Sequence, residues 1–176
     1  MNLPIENLVF LDESSINLAY TRLYGRAKSN RRINEGIKDV RFQRKSILST
    51  IRLSGEQVPF IFDGTLNKEL FSYYVKTQLA PTLNSDDIVI LDNCSVHHSK
   101  LVTQTFAECN VNVLFLPPYS PDINPIELMW AYIKKILKKL KARTNDKLIT
   151  AVGIALSLVT PELIHAWIKH CGYLSL

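Results

Sequence analysis

The sequence predicts an α/β fold built on one mixed sheet of five strands, and three observations carry that prediction. Short apolar, β-branched runs stand at residues 8–11, 46–53, 58–62, 88–91 and 111–116. Stripes of apolar residues three and four apart mark helices at 67–79, 99–109 and 125–140, and two shorter helices at 146–158 and 161–170. No internal repeat or low-complexity linker divides the 176 residues, so they read as one domain. The order β-β-β-α-β-α-β-α-α-α calls for antiparallel neighbours early in the sheet and parallel ones later.

The first run, 8–11, is continuously apolar and ends in Asp12-Glu13, which predicts a buried strand with acids at its carboxyl end. Residues 14–43 are polar, basic and poorly periodic, an excursion with room for a short strand at 18–24. The runs at 46–53 and 58–62 flank Ser54-Gly55-Glu56 and read as a hairpin, making the first three strands antiparallel. Leu70, Phe71, Tyr74, Val75 and Leu79 form the stripe of the first helix, which is expected to end before Pro81. The strand at 88–91 is again followed by an acid, Asp92. Pro117, Pro118, Pro121 and Pro125 exclude helix or ladder from 116 to 125, which must be an ordered loop. Beyond it, Ile126, Trp130, Ile133, Leu137 and Leu140 share one helical face. Thr160 and Pro161 supply an N-cap and a first helical position for the last helix.

Composition narrows the class. With 47% hydrophobic and 21% charged residues, 6 Gly and 8 Pro, the chain is neither disordered nor collagen-like. Cys94, Cys109 and Cys171 form no CxxC or Cys/His cluster, so they are expected as reduced thiols of a cytoplasmic protein. No apolar run approaches the roughly 20 residues that span a bilayer, and the chain begins without a basic segment ahead of its first apolar stretch. The net charge of +5 is unevenly placed. Arg22, Arg26, Lys28, Arg31, Arg32, Lys38, Arg41, Arg44, Lys45 and Arg52 face only Glu35 and Asp39, and residues 134–143 hold lysines and an arginine with no acid. Two basic segments suggest a polyanion, most often nucleic acid, although solvated faces explain either segment taken alone.

Asp12 and Asp92 each follow an apolar strand, and Glu127 lies in the first turn of the main helix. Central strands with a helix packed beside them can gather three carboxylates at the strands' carboxyl ends. Three hard oxygen ligands suit Mg²⁺ or Mn²⁺, and two such ions about 4 Å apart can clamp the attacking and leaving oxygens of a phosphoryl displacement. A competing explanation exists for Glu127: Asn124-Pro125-Ile126-Glu127 has the spacing of a helix capping box.

The segments VFLDE (9–13), IVILDN (88–93) with His97, and FLPPYSPDINPIE (115–127) are similar to the three signature blocks of the DDE transposases of the mariner superfamily, in its bacterial insertion-sequence branch. The 34 residues between Asp92 and Glu127 also fit, and the likeness extends to YGRA (24–27), APTL (80–83) and the closing CGY (171–173). This resemblance implies a ribonuclease H-like fold with extra C-terminal helices. It implies a catalytic and metal-binding triad of Asp12, Asp92 and Glu127, with two Mg²⁺ or Mn²⁺ ions. The expected activity is cleavage of DNA at transposon ends and strand transfer into target DNA, in a bacterial cytoplasm and on the nucleoid when DNA is bound. Family members carry helix-turn-helix modules ahead of the catalytic domain, and only seven residues precede Leu8. The expectation is therefore a catalytic fragment, or the second of two overlapping frames, partnered by an upstream helix-turn-helix segment and, since two ends must be paired, by a second copy of itself.

Other positions have two readings each. His97 could contact phosphate or orient the site, or be a satisfied loop histidine. Asn93 could support the neighbouring ligand or simply form a turn. Glu13 alternates to the opposite face from Asp12 and is not expected at the metal. Asn124 and Pro125 are expected to set the start of the helix. Tyr119 could stack on a base, but packing is the expectation. Lys134, Lys138 and Lys141 follow the Glu127 face and could lead the DNA backbone away from the site. The segment 22–52, with Arg26, Arg31 and Arg32, reads as a loop that engages DNA or a partner. Two rivals remain open: a ribonuclease H-like nuclease that cuts without joining, and an idle DNA-binding or dimerising remnant that modulates a full-length transposase.

Overall fold

The computed structural model describes residues 3–18, 20 and 45–174. Its five strands are β1 (Leu8–Ile16), β2 (Lys45–Ile51), β3 (Phe60–Asp63), β4 (Ile88–Leu91) and β5 (Asn112–Phe115). They form one sheet in the order β3-β2-β1-β4-β5. β2 pairs antiparallel with both β1 and β3, whereas β4 runs parallel to β1 and β5 parallel to β4. The mixed five-stranded sheet of the sequence prediction is therefore present, with its antiparallel half first.

β1 is longer than its apolar run. It pairs with β4 only from Leu8↔Ile88 to Phe10↔Ile90, but its ladder with β2 continues from Phe10↔Ile51 to Ile16↔Lys45. Asp12 thus lies inside the strand and not at its end: polar residues enter where β1 loses one neighbour and keeps the other. The hairpin is also wider than 54–56, since Leu48 pairs with Phe60 and the connection spans 52–59. Of the possible strand at 18–24, only Leu18 and Tyr20 are among the described residues, and the Tyr20 hydroxyl donates to the Ser15 carbonyl at 3.1 Å.

Alternation along the central strands splits the core in two. Leu8, Phe10, Ile47, Ile51 and Ile90 face helices α3 (Pro125–Leu140), α4 (Asn145–Ser157) and α5 (Pro161–His170), packing on Trp130, Ile133, Leu137, Val152 and Ile164. Val9, Leu11, Leu48, Val89 and Leu91 face α1 (Lys68–Tyr74) and α2 (Lys100–Glu108), with Phe71, Tyr74, Val102 and Phe106. Leu140, counted on the apolar face of α3 by periodicity, is exposed at the last position of the helix. No single helix among the described residues is long and apolar enough to cross a membrane; α4 and α5 pass on length and composition only as a pair bent by 76°.

Local signals explain most boundaries. Asn67, Ser99, Thr144 and Thr160 each accept an N–H from the first turn of the helix they precede. The helical path from 68 does not stop before Pro81. α1 widens into a π turn over Val75–Leu79 and then tightens into a 3₁₀ turn over Ala80–Thr82, where proline sits in a first turn and its missing N–H costs nothing.

The two ends of β2 are fixed by ion pairs. Lys45 Nζ lies 2.5 Å from Asp63 Oδ1, and the buried Arg52 guanidinium pairs with the buried Asp87 carboxylate and, at 3.0 Å, with Glu56. These two members of the 22–52 basic segment are therefore structural cations, neutralised inside the sheet, and do not belong to a DNA-engaging loop. Gly55 makes the return turn with φ +96°, and a Cβ there would meet Pro161 Cγ at 2.8 Å. Gly55→Ala is expected to destabilise the fold by about 2–3 kcal/mol, from a left-handed backbone plus overpacking against α5. Gly64→Ala, also at positive φ but with open space around it, is expected to cost only about 1 kcal/mol. Urea unfolding midpoints of the two variants test the difference.

Candidate active site

The strand register brings the first two acids together. Phe10 and Ile90 are the last paired residues of β1 and β4, and Asp12 and Asp92 each stand two residues further on, side by side where the two parallel strands part. Alternation turns Asp12 to the α3 side, and α3 begins at Pro125, so Glu127 in its first turn approaches from above that face. The three carboxylates line one cleft of about 450 Å³, whose wall also includes His97 and Lys134.

Asp12 is 9% exposed and accepts a hydrogen bond from the Trp130 indole Nε1 at 3.1 Å. Burial, above all, and then the charges of Glu127 and Asp92 push its carboxyl up to about 7, against the backbone N–H of Glu13 and the indole, which pull the other way. Asp92 is half-buried and lies below the usual carboxylate range, chiefly because His97 bonds its side chain. His97 Nδ1 is 2.9 Å from Asp92 Oδ1, and the Cys94 N–H reaches the same oxygen at 3.2 Å. Only 4% of His97 is exposed, and its ring lies 4.7 Å from that of Phe71. Of the readings open to this histidine, the geometry shows the contact with the Asp92 carboxylate, made from the wall of the cleft.

The capping-box explanation of Glu127 fails in both halves. The Asn124 side chain makes no cap bond, and the Asn124 N–H, which a capping glutamate would accept, donates to the Pro121 carbonyl at 3.1 Å. The helix starts instead through backbone, with the Glu127 N–H donating to the Asn124 carbonyl at 3.1 Å, and Pro125 buried at the first position. The Glu127 carboxylate is left exposed to the cleft.

The remaining candidates divide. Lys134, two turns along α3 from Glu127, is half-buried in the wall of the carboxylate cleft. Lys138 is exposed one turn further on. Lys141 leaves the series, because it is the left-handed C-cap of α3 (φ +50°) and lines a separate depression with Arg143 and Lys147. Asn93 is exposed, and its side-chain oxygen meets His98 Nε2. Arg26, Arg31 and Arg32 lie outside the described residues. Trp130, read from the sequence as core alone, is also the donor that fixes Asp12. The signal was its place three residues after Glu127, together with the need of a buried indole N–H for an acceptor. Tyr119, expected to pack, is fully exposed (102%) at φ +57°.

Among the described residues no three His, Cys, Asp or Glu side chains stand close enough to enclose a metal ion. Asp12 accepts from Trp130, and Asp92 pairs with His97. The donor set nevertheless suits a divalent cation: three carboxylates share one cleft, and the most buried of them is held towards its protonated form by burial and by the other two acids, a cost that a bound cation would relieve.

The sequence profile of "DDE superfamily endonuclease" matches residues 7–149. The Tcb2 transposable-element transposase of Caenorhabditis briggsae is 26% identical over 164 residues, covering 80% of this chain and 55% of that protein. Among solved structures, the Mos1 mariner paired-end complex with Mn superposes with a TM-score of 0.78 at 17% identity, over 94% of this chain and 52% of that one. The Mos1 transposase catalytic domain solved with raltegravir gives a TM-score of 0.70 with Mn and 0.68 with Mg, each at 16% identity over 95% of this chain and 80% and 81% of those chains. The chain thus spans about half the length of the transposases it matches, and its sheet and flanking helices have the ribonuclease H-like fold of the Mos1 catalytic domain. With the profile covering most of its length, the chain belongs to the DDE superfamily of endonucleases.

Proposed function

We propose that this chain is the catalytic domain of a transposase, cutting DNA strands at transposon ends and joining them to target DNA. The observation that carries this reading is the shared cleft of Asp12, Asp92 and Glu127, three acids far apart in sequence and brought together by the β1–β4 register and the start of α3. The Mos1 neighbour is a paired-end complex with Mn, which supports DNA and a divalent cation as the ligands of this cleft too.

Asp12, Asp92 and Glu127 would hold Mg²⁺ or Mn²⁺, two ions in the reading we favour, supplying Lewis-acid stabilisation to the attacking and leaving oxygens of a phosphodiester displacement. The rest of the site orients that set. Trp130 fixes one oxygen of Asp12, His97 holds Asp92 in its charged form, and the rigid start of α3 aims Glu127. Lys134 adds a positive charge beside the acids, where a DNA phosphate must pass. No covalent protein intermediate is required.

Finer points of the reading rest on the signature blocks. FLPPYSPDINPIE (115–127) supports placement in the insertion-sequence branch of the mariner superfamily. We further propose a homodimer that pairs two ends, and an N-terminal helix-turn-helix segment, encoded upstream, that recognises them. A bacterial cytoplasmic setting, on the nucleoid when DNA is bound, belongs to the same reading.

With Mn²⁺ present, the chain is expected to nick plasmid DNA, and Asp92→Ala and Glu127→Ala are expected to lower the rate about a hundredfold or more. Equal nicking by both variants and the parent would overturn the triad. His97→Ala, which frees Asp92 without removing it, should lower apparent metal affinity by about 10–100-fold.

The buried acid predicts a pH dependence whose sign is fixed. Between about pH 4 and 7 the folded chain keeps a proton on Asp12 that the unfolded chain has lost, so stability falls as pH rises through that window and levels off above it. Asp12→Asn keeps an acceptor for Trp130 without the charge. In metal-free buffer it should match the parent near pH 4 and exceed it by up to roughly 4 kcal/mol at pH 8. Mn²⁺ should raise the parent's Tm more at pH 8 than at pH 5.5, and the variant's little at either. Calorimetry across pH, with and without Mn²⁺, measures both effects.

A further inference from the structure

A second cleft, of about 480 Å³, lies on the other side of Asp92 and Glu127, walled by the loop from Leu116 to Pro121 and floored in part by Asn124. Three features set it apart. The Asn124 side chain is 4% exposed, makes no cap bond, and has an amide oxygen with no hydrogen-bond partner. A buried amide in that state is costly unless a ligand completes it. Tyr119 stands at the rim with its ring fully exposed, held out by a left-handed backbone. Pro117, Pro118 and Pro121 supply apolar ring faces.

We propose that this cleft receives a single unstacked nucleobase of the strand being cut, next to the scissile phosphate. Tyr119 stacks on its face, and the Asn124 carboxamide turns about its Cβ–Cγ bond to meet its edge. The inference rests on the DNA-cleaving reading above. Position argues for it: the cleft shares Asp92 and Glu127 with the carboxylate cleft, so a phosphodiester held there brings its neighbouring nucleotide to the second opening. Chemistry selects the base over the phosphate. Among the described residues no lysine or arginine lines the cleft, whereas apolar walls, an aromatic ring and one amide match a nucleobase.

The test uses the whole chain with Mn²⁺ and duplexes carrying one abasic residue at successive positions around a mapped nick. An abasic residue immediately flanking the nick is expected to reduce nicking by the parent about tenfold. Tyr119→Ala should show no such sensitivity, and Tyr119→Phe should behave as the parent. Asn124→Ala, with folding checked by its Tm, should lose any preference among the four bases at that position. A 2-aminopurine placed there should report unstacking on binding to the parent. If the parent nicks DNA but is indifferent to every flanking abasic residue, or if Tyr119→Ala shares its sensitivity, the base subsite is overturned and the DNA-cleaving reading stands. If the chain nicks no DNA, both fall.

Discussion

A carboxylate buried between a sheet and a helix, with an indole N–H as its side-chain donor, is the constraint around which this molecule is arranged. Asp12 sits on β1 at the seam where α3 crosses the sheet, and the Trp130 bond ties strand and helix together at that point. Helix rotation follows from it. With Trp130 turned to Asp12, Ile126, Ile133 and Leu137 enter the core, and Glu127 is carried to the open side beside the strand ends. One contact thus sets both packing and the third acid, at the expense of a charge that burial disfavours.

The sheet order explains why the acids meet where they do. β1 lies between an antiparallel neighbour, which extends far beyond Asp12, and a parallel one, which stops at Leu91. Two strands part at the resulting notch and present acids from both lips. Open α/β sheets hold ligands at such changes of chain direction. The α1 and α2 side contributes as well, since Phe71 packs on His97 and so positions the imidazole that holds Asp92.

Much of this was legible in the chain. Short apolar runs and capping residues placed all five strands and five helices, because burial and N-cap chemistry act locally. What was hidden depended on partners distant in sequence. The polar half of β1 looked like loop because its only support is the ladder to β2. Lys45 and Arg52 looked like members of a basic loop because Asp63 and Asp87, which neutralise them, come later in the chain. The capping spacing at 124–127 suggested a bond that the loop geometry gives to Pro121 instead. Tyr119 looked like a packing residue by type, and only the backbone angle shows that it is held away from the core. The three acids stood out through the signature blocks and His97 as a residue able to orient the site, but the Trp130 indole meets Asp12 across 118 positions, and no spacing announces that pair.

The pairing of Ile16 with Lys45 closes the ladder between β1 and β2 at the point where residues 17–44 leave and return. The two ends of that segment are therefore neighbours in the sheet, joined by backbone hydrogen bonds and secured by the Lys45–Asp63 pair. The ladder that carries Asp12 is thus closed by its own strands four residues beyond the acid, and the position of that carboxylate is set by β1, β2 and β4.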